Sequence, residues 1–158
     1  MPDALTIHGA SPGDADAISA LALSLARYFL ADPDRPEDAA AFLERLAPAA
    51  IAETLADARY RYHVALADGV LAGVVGVRDG SHLYHLFVAE PFHGRGVAAR
   101  LWDVASRDAR ARGNPGRFTV NSSRFAVPVY ERFGFVATGP EQVQDGIAFR
   151  PMERPESP

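Results

Sequence analysis

One stretch brings together residue types and spacings that can hold an anion: Leu86 to Leu101, LFVAEPFHGRGVAARL. Leu86, Phe87 and Val88 form a short apolar run suited to a buried strand. Pro91 cannot donate to a ladder, so regular pairing is expected to stop near it. Gly94 and Gly96 allow a sharp turn and a close approach by a ligand. From Gly96 onward Val97, Leu101, Val104 and Ala105 recur at helical spacing. The turn's unpaired N–H groups and the positive end of the helix then converge on one spot, suited to a phosphate or pyrophosphate.

Two nucleotide-type readings compete for this turn. Gly94-Arg95-Gly96-Val97-Ala98-Ala99 fits the dinucleotide fingerprint G-x-G-x-x-A. That fingerprint needs an early strand–helix–strand unit and an acid about 20 residues further on. The turn instead lies past the middle of the chain, and no Asp or Glu occurs between Asp108 and Glu131. The same residues resemble the coenzyme A loop of the GNAT N-acetyltransferase superfamily, Gln/Arg-x-x-Gly-x-Gly/Ala, which here reads His93-Gly94-Arg95-Gly96-Val97-Ala98. His stands where the family has Gln or Arg. A second block, Asn121 to Phe135 (NSSRFAVPVYERFGF), is similar to the family's Asn…Tyr-Glu-x-x-Gly-Phe segment. Loop, spacing and second block together are specific, and the resemblance covers about residues 5 to 153.

The resemblance implies an α/β fold, a mixed sheet with helices on both faces, in which two parallel strands splay apart. The pantetheine arm of acetyl-CoA, the co-substrate, would occupy the gap between Leu86–Val88 and Thr119–Asn121. The amides of Gly94, Arg95, Gly96, Val97, Ala98 and Ala99 would hold the pyrophosphate, with His93 bordering it. Unpaired backbone of Leu86, Phe87 and Val88 would bind the pantetheine amides, and the Val88 N–H is the oxyanion donor by resemblance. Asn121 would hydrogen-bond the cofactor arm. Tyr130 matches the family's general acid; a phenol near pKa 10 is protonated at neutral pH and can protonate a thiolate of pKa about 8.5. The implied activity is direct acetyl transfer to a small-molecule or peptide amine, without a covalent enzyme intermediate. A module that binds acyl-CoA without turnover is the alternative, and the intact Tyr130 argues against it.

The base is left open between His82, His85 and Glu90. His82 occupies the place where some relatives carry a base carboxylate, and a histidine near pKa 6.5 can accept an ammonium proton. Strand alternation is expected to put His82 and His85 on opposite faces, so that only one faces the acceptor. Arg95, Arg100 and Arg124 are candidates for the coenzyme A phosphates. Trp102 reads as a packing or interface residue.

The elements that must position these groups follow from pattern. Leu5 to His8 alternates like a strand. Ser11-Pro12-Gly13-Asp14 leads into a helix whose face is Ile18, Leu21, Leu25 and Phe29, ending near Leu30. A second helical region carries Phe42, Leu43 and Leu46, and Pro48 opens another through Ile51 and Leu55. Tyr62–Ala67 and Val70–Val77 flank Asp68-Gly69 as a hairpin, and a third meander strand, Ser81 to Val88, follows Asp79-Gly80. A central helix from about Gly96 to Arg112 ends at Gly113-Asn-Pro-Gly116. A strand at Phe118–Val120, a short helix from near Pro128 to Gly134, and two strands, Phe135–Thr138 and Ile147–Met152, complete the fold. Residues 1–154 read as a single domain with a loose tail at 155–158.

Composition narrows the function classes. With 158 residues and a net charge of −4, general nucleic-acid binding is disfavoured. No apolar run approaches the roughly 20 residues of a membrane span, and no secretory signal is evident. The absence of cysteine excludes disulfides and thiolate chemistry and fits a cytoplasmic protein. Five His without a recognisable ligand pair give no metal site. Residues 1–60 hold ten acids and four Arg, residues 61–158 ten acids and twelve Arg. In GNAT proteins the first region borders the acceptor groove, so its acidity points to a cationic acceptor. Dimers are common in the family, which leaves a homodimer open.

Overall fold

The computed structural model describes residues 4–156. Residues 1–3 and 157–158 lie outside the described residues; of the expected tail, Pro155 and Glu156 are exposed and irregular. The strands are β1 (Leu5–Gly9), β2 (Tyr60–Ala67), β3 (Val70–Arg78), β4 (His82–Val88), β5 (Phe118–Ser122), β6 (Val136–Ala137), β7 (Gln142–Gln144) and β8 (Ile147–Arg154). The helices are α1 (Ala15–Ser24), α2 (Ala40–Glu44), α3 (Pro48–Ala56), α4 (Val97–Ala111) and α5 (Val127–Arg132). The sheet runs β1-β2-β3-β4-β5-β8-β6, with β7 on β8, and β4–β5 is its parallel pair. The expected mixed sheet is therefore present.

Both faces are covered. On one, Val97, Leu101, Trp102 and Ala105 of α4 pack with Val75, Leu83, Phe118 and Phe135. On the other, Ile18, Leu21, Leu46 and Ile51 pack with Tyr62, Val64 and Val74. Leu101 is fully buried, and Leu101→Ala costs about 2–5 kcal/mol by the usual cavity rule. Trp102 stands in this core, stacked on Phe133 and edge-on to Phe118 and Phe135.

Three hairpin turns are Asp-Gly pairs with both residues at positive φ: Asp68-Gly69 (+50°, +80°), Asp79-Gly80 (+53°, +72°) and Asp145-Gly146 (+52°, +73°). The third makes β7–β8, a hairpin that sequence reading passed over although its dipeptide is the same. α1 stops at Ser24, well before Leu30. The Ser24 hydroxyl donates back to the Leu21 carbonyl (2.6 Å), and a 3-10 turn at Ala26–Tyr28 redirects the chain. Residues 29–31 then pair with the start of β8 through Ala148 N–H to Phe29 O (3.2 Å) and Ala31 N–H to Gly146 O (2.9 Å). Pairing with a strand outweighs the helical spacing of Phe29.

Two departures from regular pairing shape the centre. β4 and β5 pair only at His82–Thr119 and Leu83–Val120. The sheet splits as expected, but Thr119 still belongs to the paired part; the gap opens from Asn121 on β5. The β3–β4 register also slips: Gly76 faces His85 while Val77 faces Leu83, so Tyr84 is one extra residue. The bulge resets alternation, and His85 joins His82 on the α1 side of the sheet. The expectation that the two histidines take opposite faces is thus corrected. Gly76 makes this possible: a Cβ there would collide with the Tyr62 ring, which lies across it to reach His85.

Candidate active site

The split sheet forms one wall of a cleft of about 770 Å³, in the range of small-molecule sites. One end of the cleft is main chain. Gly96 (φ +79°) starts α4 without a capping side chain, and the first helical bond is Arg100 N–H to Gly96 O at 3.1 Å. Among the described residues the amides of Gly94, Gly96, Val97, Ala98 and Ala99 have no hydrogen-bond partner, and all five residues line the cleft. A Cβ built at Gly94 or Gly96 meets nothing within 4 Å, so the space beside these amides is open. This cradle fits a diphosphate.

β4 supplies a second row of backbone groups. Ala89 N–H bonds Ala72 O (2.9 Å), so the facing pairs Ala89–Ala72 and Phe87–Val74 are the hydrogen-bonded ones. Leu86 and Val88 therefore direct N–H and C=O away from β3, into the gap. Phe87 does not: its backbone is spent on β3, and its ring packs toward Phe29 and His85. The expected row of three is two.

The His93 amide bonds Glu90 O (3.0 Å), and its Nε2 lies 2.6 Å from the Val88 carbonyl. A carbonyl only accepts, so Nε2 carries the proton. The ring packs edge-on to Tyr28 and near Phe125. His93 thus steadies the end of β4 and lines the cleft beside Gly94. Glu90 is held by Arg27 and by the Tyr28 hydroxyl (3.1 Å), which keep its carboxyl below the ordinary range, and it does not line the cleft. It is not placed to act as a base. Arg124 is taken by Glu141 (2.6 Å), and the Arg95 guanidinium lies over Phe92. Arg132, which sequence reading passed over, borders the cleft instead of these two or Arg100.

At the middle of the cleft stand Tyr130 and Asn121. α5 buries the Tyr130 ring against Phe133 and Phe135. Burial pushes the phenol above its ordinary value, so it is fully protonated at neutral pH. Its hydroxyl has no partner among the described residues. Thr119 and Asn121 are exposed between buried Phe118, Val120 and Ser122, and Asn121 lines the cleft.

His82 and His85 line the far half. The His82 Nδ1 lies 2.8 Å from Thr119 Oγ1; burial, then the Arg78 charge, pushes its pKa down to about 4. The His85 Nδ1 lies 2.7 Å from the Tyr62 hydroxyl, and burial, then His82, pushes its pKa down to about 3. Both rings are neutral at pH 7. Around them this end is built of side chains: Phe29, Phe42, Arg45, Arg78, Tyr84 and Asp145. Sequence reading named none of the last four. One signal was available, because Arg78 and His82 face each other across the Asp79-Gly80 turn. None of the described acids among residues 1–60 lines the cleft, which corrects the expectation of an acidic acceptor groove. Among the described residues no cluster of three potential ligands for a metal ion occurs, and no helix is long and apolar enough to cross a membrane.

Comparison with known proteins agrees with this geometry. The family model described as an acetyltransferase (GNAT) domain matches residues 30–155. An acetyltransferase from Agrobacterium fabrum is 35% identical over 74 residues, 46% of this chain; the match spans about half, 54%, of that protein. Among solved structures, an N-acetyltransferase from Rhodopseudomonas palustris superposes with a TM-score of 0.78 at 23% identity over 98% of both chains. The PaiA N-acetyltransferase from Thermoplasma acidophilum, in complex with coenzyme A, gives 0.75 at 15% identity, covering 96% of this chain and 98% of that one. At these identities the two structures speak for the fold alone.

Proposed function

Because the chain belongs to the GNAT acetyltransferase family, we propose that it transfers an acetyl group from acetyl-CoA directly to an amine. The observation that carries the reading is the split after Leu83–Val120, with Leu86 and Val88 backbone facing it and an uncapped helix start at its end. Bound acetyl-CoA supplies an activated thioester. The loop amides from Gly94 to Ala99 fix the diphosphate. The Leu86 and Val88 backbone aligns the amide-bearing arm as an added strand would be aligned. The Val88 N–H donates to the oxyanion that develops on amine attack, while His93 holds the carbonyl of the same residue. As the carbon–nitrogen bond forms and the carbon–sulfur bond breaks, Tyr130 Oη gives its proton to the departing sulfur. The nitrogen's proton leaves to water, and His82, at the other end of β4 from Val88, can receive it only through such water. A neutral imidazole with a pKa of about 4 is a weak base for a free ammonium of pKa near 10. The amine therefore enters deprotonated, or loses its proton after attack, when it is far more acidic.

The test has two arms. Coenzyme A should raise the melting temperature and NAD should not. Tyr130→Phe should cut transfer by about 100-fold or more, with acetyl-CoA affinity little changed. Unaltered turnover removes Tyr130 from the acid role. Stabilisation by coenzyme A with no turnover on any amine favours the binding-module reading.

A further inference from the structure

The end of the cleft remote from the phosphate loop carries positive charge. β4 has seven residues, so its start beside Arg78 lies roughly 20 Å from its end at Val88. Arg78 is therefore not placed for the diphosphate. Its partner carboxylate is largely spent elsewhere: Asp79 accepts from Arg59 at 3.1 and 3.0 Å, leaving Arg78 an approach of 3.8 Å. The Arg78 guanidinium lies 5.4 Å over the Tyr84 ring, which holds it at the cleft with 34% of the side chain exposed. Arg45 faces the same space, packed over Phe42 at 5.2 Å. Its partner at 3.7 Å, Asp145, is the one acid lining the cleft among the described residues. Two guanidiniums against one carboxylate leave net positive charge, walled by Phe29, Phe42, Tyr84 and Phe149. A polyamine or aminoglycoside would bring like charge to this wall.

We propose that the acceptor is an amine whose carboxylate lies at the far end of an extended apolar or aromatic body, its anion held by Arg78 with Arg45. This rests on the transfer reaction proposed above and specifies the substrate class for the same cleft. Guanidinium forks suit carboxylates because they donate two parallel hydrogen bonds.

Matched pairs test it. Thiol release from acetyl-CoA is followed with 8-aminooctanoic acid against octylamine, 4-(4-aminobutyl)benzoic acid against 4-phenylbutylamine, and spermidine as the polycation. Binding is read independently by ligand-observed NMR with 8-acetamidooctanoic acid and N-octylacetamide in the presence of coenzyme A. The acid-bearing member of each pair should win by about tenfold or more in kcat/KM, as expected for a charge-assisted contact. 8-Acetamidooctanoic acid should out-compete its neutral counterpart. Arg78→Gln should bring the ratio toward one, mainly through KM, and Arg78→Lys should restore part of it. Arg45→Gln gives the same reading if Arg78→Gln does not fold. Equal or reversed ratios, preference for spermidine, or no response to either set while coenzyme A still stabilises the fold overturns the proposal alone. If coenzyme A itself fails to stabilise the fold, the transfer reading falls and this proposal falls with it.

Discussion

Where β4 ends, its contact surface is main chain: the amides from Gly94 to Ala99, and the Leu86 and Val88 peptides turned toward the gap. Where β4 begins, the surface is side chains, with Arg78 from β3, Tyr84 from a bulge, Arg45 from beyond α2 and Asp145 from the β7–β8 turn. The two ends share one strand and one cleft, yet they fail differently. A backbone cradle depends on a few φ angles, so one residue can abolish it while most flanking side chains are free to vary; His93 in place of Gln or Arg is such a variation. A side-chain wall spreads recognition over several elements, so each loss is partial and shifts selectivity.

The sharpest way to break that contrast is at Gly96. Gly96→Glu puts a side chain at φ +79° and a carboxylate into an anion cradle. Coenzyme A binding should be lost by calorimetry, with a native circular dichroism spectrum. Gly96→Ala separates strain from charge. Its Cβ meets nothing within 4 Å, so only the left-handed conformation counts, at about 1–2 kcal/mol, or roughly five- to thirtyfold in affinity if the loop relaxes in response. Retained affinity in the Glu variant would place the diphosphate elsewhere and dissolve the distinction between the two ends.

How much of each end was legible follows from the same contrast. Gly94, Gly96 and Pro91 announce a backbone device because only special residues satisfy special φ angles, and local sequence records them. The β2–β3–β4 meander followed from the Asp-Gly turns, whereas the split between β4 and β5 followed from the resemblance to the GNAT family. The far end was not legible. Arg78, Tyr84, Arg45 and Asp145 are ordinary residues until topology assembles them. The bulge at Tyr84 inverts the face of His85, and period-2 reasoning has no term for one inserted residue. α1 was overrun for a related reason: Phe29 keeps helical spacing, but the backbone at 29–31 gains a strand partner in β8.

A smaller effect tests whether the two ends meet in the strand between them. His93 donates to Val88 O, on the residue whose N–H is offered to the oxyanion. His93→Ala should lower kcat about tenfold, the scale of one hydrogen bond, with little change in coenzyme A affinity. His93→Gln, which restores a family residue and a donor, should recover most of the loss. If His93→Ala weakened coenzyme A binding and left kcat intact, His93 would belong to the phosphate cradle after all.

The effect furthest from the chemistry is on stability against pH. His82 and His85 are held neutral, near pKa 4 and 3, whereas in the unfolded chain each returns to 6.5. Between those values the unfolded state binds more protons, so stability rises with pH through this window. It is fully present above about 6.5 and is lost as the solution is acidified toward 4. His63, partly buried beside Asp108, shifts in the same direction and adds to the loss. The salt-bridged carboxylates Asp79 and Glu90 have lowered pKa values and act only below about 4.5, so a scan from about pH 7.5 to 5 isolates the histidines. The melting temperature should fall over that range. His85→Gln, whose amide can still bond Tyr62 but does not titrate, should fall less. An identical fall in both proteins would mean that His85 is solvated and charged at pH 5, and the buried, neutral character assigned to the side-chain end would have to be given up.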